Sequence, residues 1–510
     1  MLSVHASPAL PAPPGRFNLA AHVLARAPAL GERSALQILR PTGAERWSYA
    51  RLEAAVRGAG TGMLARGLVP GDRVLLRLGN TPEFPVAFLG AIAAGLVPVP
   101  TSAQLTAPEI TKLAAELAPA LVIAGDGIAR PDHPAPVLSE AELRGFEALA
   151  PCAYDLGAPD RLAYLVYTSG SSGRPRAVMH AHRAIWARQM MHQGWYGLAE
   201  TDRLMHAGAF NWTYTLGTGL MDPWSLGATA LIPGAGVGAE ALPLLMRRFD
   251  ATIFAAVPGV YRQILKHHEH LALPKLRHGL SAGEALPGSV RARWREATGT
   301  EIHEALGMSE CSTFISGAPG RPAPEGAMGY PQAGRQIAVL GAEGAPVPRG
   351  AGGVLAVHRS DPGLFLGYWG APEETAARFT ADGAWFLTGD SVAMAEEGAI
   401  TYLGREDDMM NAGGFRVSPL EVEAAMAGCP GAGEVAAVEI RVKAEASVIA
   451  LAWTGPATEA EMVAQAEAQL ARYKTPRLWR PIPALPRNQN GKIDRRALRV
   501  EWSQLLGANP

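Results

Sequence analysis

Short apolar runs alternating with amphipathic stretches recur through most of this 510-residue chain. Residues 72–78 read as a strand, 84–95 as a helix, and 120–125 and 161–168 as strands. Residues 251–257 read as a strand followed by a helix from Pro258, and 276–284 as a strand followed by a helix over 286–298. Such alternation argues for βαβ units and parallel sheets with helices on both faces. Near residue 327 the texture changes to short strands and Gly-rich turns, which suggests a small antiparallel sheet or barrel. After 404–410 the alternation resumes on a smaller scale, with a helix over 417–427, paired strands over 434–442 and 447–454, and a helix over 458–473. A boundary near Asp407 leaves a tail long enough to fold as a domain. The chain length corresponds to about three domains.

Composition narrows the function. Lys and Arg total 46 against 47 Asp and Glu, so no net basic field exists to hold nucleic acid or an anionic membrane. Three cysteines, Cys152, Cys311 and Cys429, lie far apart, which argues against a disulfide framework or zinc ribbon and for a reducing cytoplasm. The first residues lack a basic segment and carry several prolines, and no apolar run is long enough to span a bilayer. Neither a secretory signal nor a transmembrane helix is therefore expected.

The strand 161–168 runs into Tyr167, Thr168, Ser169, Gly170, Ser171, Ser172, Gly173, Arg174, Pro175 and Arg176. Small hydroxyl and glycine residues let backbone N–H groups approach an anion. Arg174 and Arg176 offer charge-assisted contacts to phosphate. The same composition also makes an ordinary turn, and the segment is not a Walker A loop. Leu306–Glu310, Leu387–Asp390 and Gly404–Asp408, taken singly, read as turns with capping carboxylates. Lys492, beside Gly491, reads singly as a solvated lysine.

In this order the segments stop looking independent. The chain resembles the adenylate-forming superfamily of acyl-CoA synthetases, peptide-synthetase adenylation domains and beetle luciferases, over nearly its whole length. The family's phosphate loop matches Tyr167–Arg176, with Arg176 where lysine is usual. Its AGE segment is Ala282, Gly283 and Glu284, and its YGxTE segment appears as Leu306–Glu310. Its TGD is Thr388–Asp390, and its GRxDD hinge is Gly404–Asp408, followed by Gly413, Gly414, Phe415 and Arg416. Its closing PxxxxGK is Pro486–Lys492.

The resemblance implies an α/β fold. A large N-terminal domain over 1–406 has βαβ-layered sheets and a small β-barrel-like subdomain, and a small mobile α+β C-terminal domain covers 407–510. It also implies an AMP-forming acid–thiol ligase, in which a carboxylate and ATP give acyl-AMP and pyrophosphate, then CoA gives acyl-CoA and AMP. Attack of one anion on another requires cations and N–H donors where charge develops. By resemblance, Thr168, Ser169, Gly170, Ser171, Ser172 and Gly173 hold the outer phosphates with Arg176. Glu310 binds Mg²⁺, which prefers oxygen ligands. Ser309 contacts the α-phosphate, Asp390 and Arg405 reach the ribose, and Gly283 and Glu284 lie along the adenine. Lys492 bridges the attacking carboxylate and the α-phosphate. The C-terminal domain then turns about Asp407 and brings Gly413, Gly414 and Arg416 to the thiol of CoA. By the same resemblance Lys492 is a candidate site of regulatory acetylation, with a lysine acetyltransferase and deacetylase as candidate partners. A homodimer is left open.

The acyl pocket is expected from Phe210, Asn211, Trp212, Tyr214, Ala282 and Gly307. Amino-acid-activating relatives usually place an aspartate where this chain has Asn211, and an amide cannot neutralise a buried ammonium. Acetate-specific relatives close the pocket with tryptophan where this chain has Gly307, so a larger acid is expected. Trp212 and Tyr214 either line a pocket for a medium-chain or aromatic acid or pack in the core. The run from Phe210 to Ala228 looks most like medium-chain and benzoate-type ligases. No carrier segment follows Lys492, which points to a stand-alone enzyme. His267, His268 and His270 read as a solvated helix face, and His303–Glu304 lacks metalloprotease spacing. His180 and His182 read as structural, and Cys311 has no base partner. The alternatives are loading of a carrier-protein pantetheine and a catalytically silent nucleotide-binding regulator.

Overall fold

The computed structural model describes residues 1–8, 10–168, 175–412, 415–443, 446–470, 472, 474–488 and 491–505. These residues form two compact units. One comprises Met1–His5, Ile337–Ala356 and Leu387–Pro510; the other comprises Ala6–Gln336 and Val357–Phe386.

The larger unit is built on a nine-stranded sheet. Its order runs Tyr330–Pro331, Ser312–Ser316, Ile302–Met308, His278–Ala282, Ile253–Ala256, Arg203–His206, Thr229–Pro233, Ser34–Arg40 and Gly43–Ser48. The pairings from Ile302–Met308 through to Ser34–Arg40 are parallel. Antiparallel strands close both edges. Ile253–Ala256 and Thr229–Pro233 are apolar and buried along their length, as strands covered on both faces must be. A second, four-stranded parallel sheet has the order Val97–Pro100, Arg73–Arg77, Leu121–Ala124 and Val137–Ser139. The helices Tyr49–Leu64 and Glu83–Ala93 pack closely because glycine removes the side chain between them. A Cβ at Gly90 would lie 2.8 Å from the Val56 carbonyl oxygen.

Capping boxes set several helix starts. Thr106 with Glu109, Ser139 with Glu142 and Thr458 with Glu461 each satisfy exposed amides at a helix N-terminus.

A five-stranded sheet, most of whose residues belong to the other unit, has the order Val4–Ala6, Gln336–Leu340, Gly352–His358, Trp385–Met394 and Ile400–Arg405. This is the small β region expected after residue 327. The N-terminal strand joins it because the Ser3 amide donates to the Val347 carbonyl and Leu2 bridges Pro348; three residues are too few to show a period. Beyond it, antiparallel Val435–Lys443 and Ala446–Trp453 are joined by parallel Leu478–Pro481. The helices Pro419–Met426, Glu459–Gln469 and Arg495–Leu505 accompany that sheet. Residue 407 falls inside this unit. Across that position the Ser418 hydroxyl donates to the Leu403 carbonyl.

Among the described residues, no helix is long and apolar enough to cross a membrane. The helix Pro258–His267 ends at His267, so His268 and His270 lie beyond it rather than on its face.

Candidate active site

Two antiparallel strands, Leu162–Thr168 and Arg176–Ala181, bracket the Ser/Gly-rich segment, and Thr168 pairs with Arg176 across its base. Ser169, Gly170, Ser171, Ser172 and Gly173 lie outside the described residues. Arg176 stands at that mouth. Its guanidinium is 2.8 Å from Glu374 and 5.3 Å from the Tyr368 ring centroid. Tyr368 also donates its hydroxyl to Glu310 Oε1 at 2.7 Å. One aromatic residue therefore ties the cation and the carboxylate together. Neither Tyr368 nor Glu374 was marked by any sequence motif.

Glu310 is 9% exposed, and the carbonyl of the same residue accepts from the Phe365 amide. Ser309 lines a cleft with His180, Arg188, Thr213, Leu216 and Ser312. Under it, Arg188 is paired with buried Asp222 at 2.6 Å and bonded to the Tyr196 hydroxyl at 3.1 Å. Gly217 is glycine because a Cβ there would lie 2.1 Å from that guanidinium.

The segment expected to lie along an adenine follows the strand His278–Ala282, at the C-terminal end of the parallel strands where ligand crevices form. Gly283 has φ +93°, the left-handed region, which lets the chain leave the sheet at Glu284. Glu304, set aside in the sequence as a failed metal motif, holds this loop. Its Oε1 accepts the Leu286 amide at 2.7 Å, and its Oε2 accepts Arg291 at 3.0 Å. Burial pushes its carboxyl from 4.5 up to about 7, against the lowering pull of the Leu286 amide and Arg291.

A folded-state value above the unfolded one means that Glu304 favours the native state while protonated. That contribution is complete below about pH 4.5 and is lost as pH rises through about 7. The step is roughly 3 kcal/mol. Glu304→Gln is expected to remove it, so the change in unfolding free energy between pH 5 and pH 8 should be smaller in the variant than in the wild type by about 2–3 kcal/mol, read by urea unfolding.

The candidate acyl residues divide. Tyr214 donates its hydroxyl to the Leu280 carbonyl at 3.2 Å and lies 5.8 Å from Trp195 in a stacked arrangement. It covers the sheet face that carries Ala282 and Ala305, with Gly307 two residues beyond Ala305. Asn211 and Trp212 are half-buried at the entry to the π-helix Thr215–Met221. Phe210 is not brought to this wall. It is 1% exposed in the core cluster that contains Phe84, 5.2 Å away, and its amide is held by Asn80 Oδ1.

Gly307 sits at a register shift between the strands Ile302–Met308 and Ser312–Ser316. A Cβ there would lie 2.5 Å from the Ser312 carbonyl oxygen and 2.6 Å from Thr313 Cα. The glycine is therefore demanded by backbone approach. Gly307→Ala is expected to destabilise by about 1–3 kcal/mol, read as a lowered denaturant midpoint at unchanged slope.

In the other unit, strand register places Asp390 opposite Arg405. Arg405 Nη1 donates to Asp390 Oδ1 at 3.0 Å, and Tyr402 donates its hydroxyl to the same oxygen at 3.3 Å. The Asp390 amide donates to Thr388 Oγ1. Burial pushes the Asp390 carboxyl up, and Arg405 pulls it back down.

Lys492 is exposed in a tight reversal. Its amide donates to Asn488 Oδ1 at 3.1 Å, the Asn488 amide donates to its carbonyl at 2.9 Å, and Arg487 bridges Ile493. Gly491 supplies the φ of +79° that this reversal needs. Asp407 lies in the turn Glu406–Asp408 and Arg416 in the strand Phe415–Val417; Gly413 and Gly414 lie outside the described residues. Among the described residues, no group of three or more His, Cys, Asp or Glu could hold a metal ion.

Two family models match the chain, AMP-binding enzyme over residues 24–369 and AMP-binding enzyme C-terminal domain over 421–492. The chain belongs to the AMP-binding enzyme family. Its relatives include ligases of aromatic acids to CoA, consistent with the ATP-dependent ligation of a carboxylic acid to CoA. It is 31% identical over 525 residues to a benzoate–CoA ligase of Thauera aromatica, covering 95% of this chain and 96% of that protein. It is 29% identical over 513 residues to a 3-hydroxybenzoate–CoA ligase of Aromatoleum sp. strain CIB, covering 95% and 97%. The crystal structures of a benzoate CoA ligase from Burkholderia xenovorans LB400 match with a TM-score of 0.82 at 28% identity, covering 95% of this chain and 100% of that one.

Proposed function

We propose that the acid is aromatic, a benzoate or substituted benzoate. The observation that carries this reading is Tyr214, fixed by its hydroxyl to the Leu280 carbonyl over a sheet face of small residues, Ala282 and Ala305. A flat ring would pack beside Tyr214 along that face, with affinity driven by buried area. The benzoate and hydroxybenzoate ligases among its relatives support the same reading.

In this reading the chain's own residues divide the work. Arg176 and the segment from Thr168 to Gly173 neutralise the outer phosphates. Glu310 is suited to Mg²⁺, because Tyr368 orients the carboxylate through one oxygen; such an ion keeps waters and phosphates as its other ligands. When bound, it supplies charge neutralisation on the phosphates. Ser309 donates to the α-phosphate. Asp390 accepts the ribose hydroxyls, with Arg405 and Tyr402 holding its other contacts. Gly283 and Glu284 flank the adenine. Lys492 bridges the attacking carboxylate and the α-phosphate. Residues 407–510 move as a domain about Asp407 between the half-reactions, bringing Gly413, Gly414 and Arg416 to the thiol.

The test is product analysis with ATP, Mg²⁺, CoA and single carboxylic acids. A benzoate should give AMP, pyrophosphate and a benzoyl-type thioester of CoA. AMP release that required a pantetheinylated carrier protein in place of CoA would contradict the acceptor, and activation of aliphatic acids alone would contradict the acid.

A further inference from the structure

The reversal that presents Lys492 leads, two residues later, into the helix Arg495–Leu505. Two arginines of that helix are clamped to carboxylates far back in the chain. Arg495 Nη2 donates to both Glu423 oxygens at 2.8 Å, and Glu423 also accepts the Ala437 amide at 2.8 Å. That pair is largely withdrawn from water, with side chains 16% and 10% exposed. One turn further on, Arg499 Nη2 donates to Asp408 Oδ1 at 2.8 Å, with side chains 30% and 25% exposed. Asp408 is the last residue of the turn Glu406–Asp408.

The helix is therefore fastened at two points one turn apart, once to the helix Pro419–Met426 and once to the turn itself. Its inner face is fixed as well: Leu498 and Trp502 are 1% and 5% exposed against the sheet. The buried face fixes its height over the sheet, and the two ion pairs restrain its position along its own axis. A loop two residues from such a helix inherits that restraint.

We propose that Arg499 and Asp408, backed by Arg495 and Glu423, are positioning residues for Lys492, gearing the lysine-bearing reversal to the turn about which the small domain moves. This rests on the proposed role of Lys492 in adenylation. A bridge between Asp408 and Arg499 couples residue 408 to the helix, so a rotation at Asp407 is delivered to the backbone from which the Lys492 side chain reaches. Placement matters most in adenylation, where one ammonium must meet two oxygens; displacement by an ångström is enough to lose much of such a rate.

The test uses the full chain with Arg499→Met, Arg499→Asp, Asp408→Arg and the exchanged pair Arg499→Asp with Asp408→Arg. Each is assayed for acid-dependent pyrophosphate release and, separately, for thioester formation from supplied acyl-AMP. The single variants should lower the kcat of pyrophosphate release about tenfold, leave KM for ATP within about threefold, and affect thioester formation much less. The exchanged pair should recover most of the loss. Equal losses in both half-reactions, or an unchanged adenylation rate in Arg499→Met, would overturn the proposal. So would failure of the exchanged pair to recover while its melting temperature matches the wild type. If a charge reversal prevents folding, Arg499→Met decides alone, since it keeps the aliphatic stem and removes the guanidinium. Loss of adenylation in these variants alongside full activity in Lys492→Ala would instead overturn the role of the lysine.

Discussion

Lys492→Ala is expected to lower acid-dependent pyrophosphate release by about 10³-fold, the scale seen when one preorganised charge donor is removed from a transition state. Thioester formation from supplied acyl-AMP should survive, within a few-fold. The split follows from charge. In the proposed role, two anions approach each other in adenylation and the ammonium bridges them and offsets their repulsion; in thioester formation the acyl group is already activated and the leaving group is AMP. The local structure suits a placed cation. Asn488 holds the Lys492 amide while the side chain stands exposed. Acetylation of the same nitrogen removes the charge and should reproduce the alanine phenotype. Equal losses in both half-reactions would contradict this account.

Asp390→Asn is expected to raise KM for ATP by about 10–100-fold, since hydrogen bonds to a charged group contribute about 1.5–3 kcal/mol. The change is nearly isosteric, so the strand pairing of Asp390 with Arg405 should persist. It also removes a titration. Burial holds the wild-type carboxyl above its ordinary range, so nucleotide binding should weaken as pH falls and the site protonates. The variant should lack that loss. Equilibrium nucleotide binding across acidic pH measures both effects.

Much of this was legible in sequence because it is carried by local period and by spacing. The strands Arg73–Arg77, Leu121–Ala124, Ile253–Ala256 and His278–Ala282 follow their apolar runs, and Asp390 and Arg405 sat in recognisable segments. The rest depends on contacts between distant positions. Tyr368 holds Glu310 across 58 residues, and Glu304 holds the Leu286 amide across 18; no periodicity marks either partner. Phe210 looked like pocket lining from its neighbours in sequence, but the turn pinned by Asn80 sends it into the core. Gly307 read as pocket depth, yet the nearby Ser312 and Thr313 backbone is reason enough for a glycine.

The most direct measurement follows oxygen. With the carboxylate of a benzoate isotopically labelled in both oxygens, a full turnover with ATP and CoA is run, and AMP, pyrophosphate and the thioester are examined by mass spectrometry. Attack of the carboxylate on the α-phosphate, followed by expulsion of AMP by the thiolate, predicts one labelled oxygen in AMP, one in the thioester and none in pyrophosphate. Unlabelled AMP, or label released in inorganic phosphate alongside ADP, would contradict it.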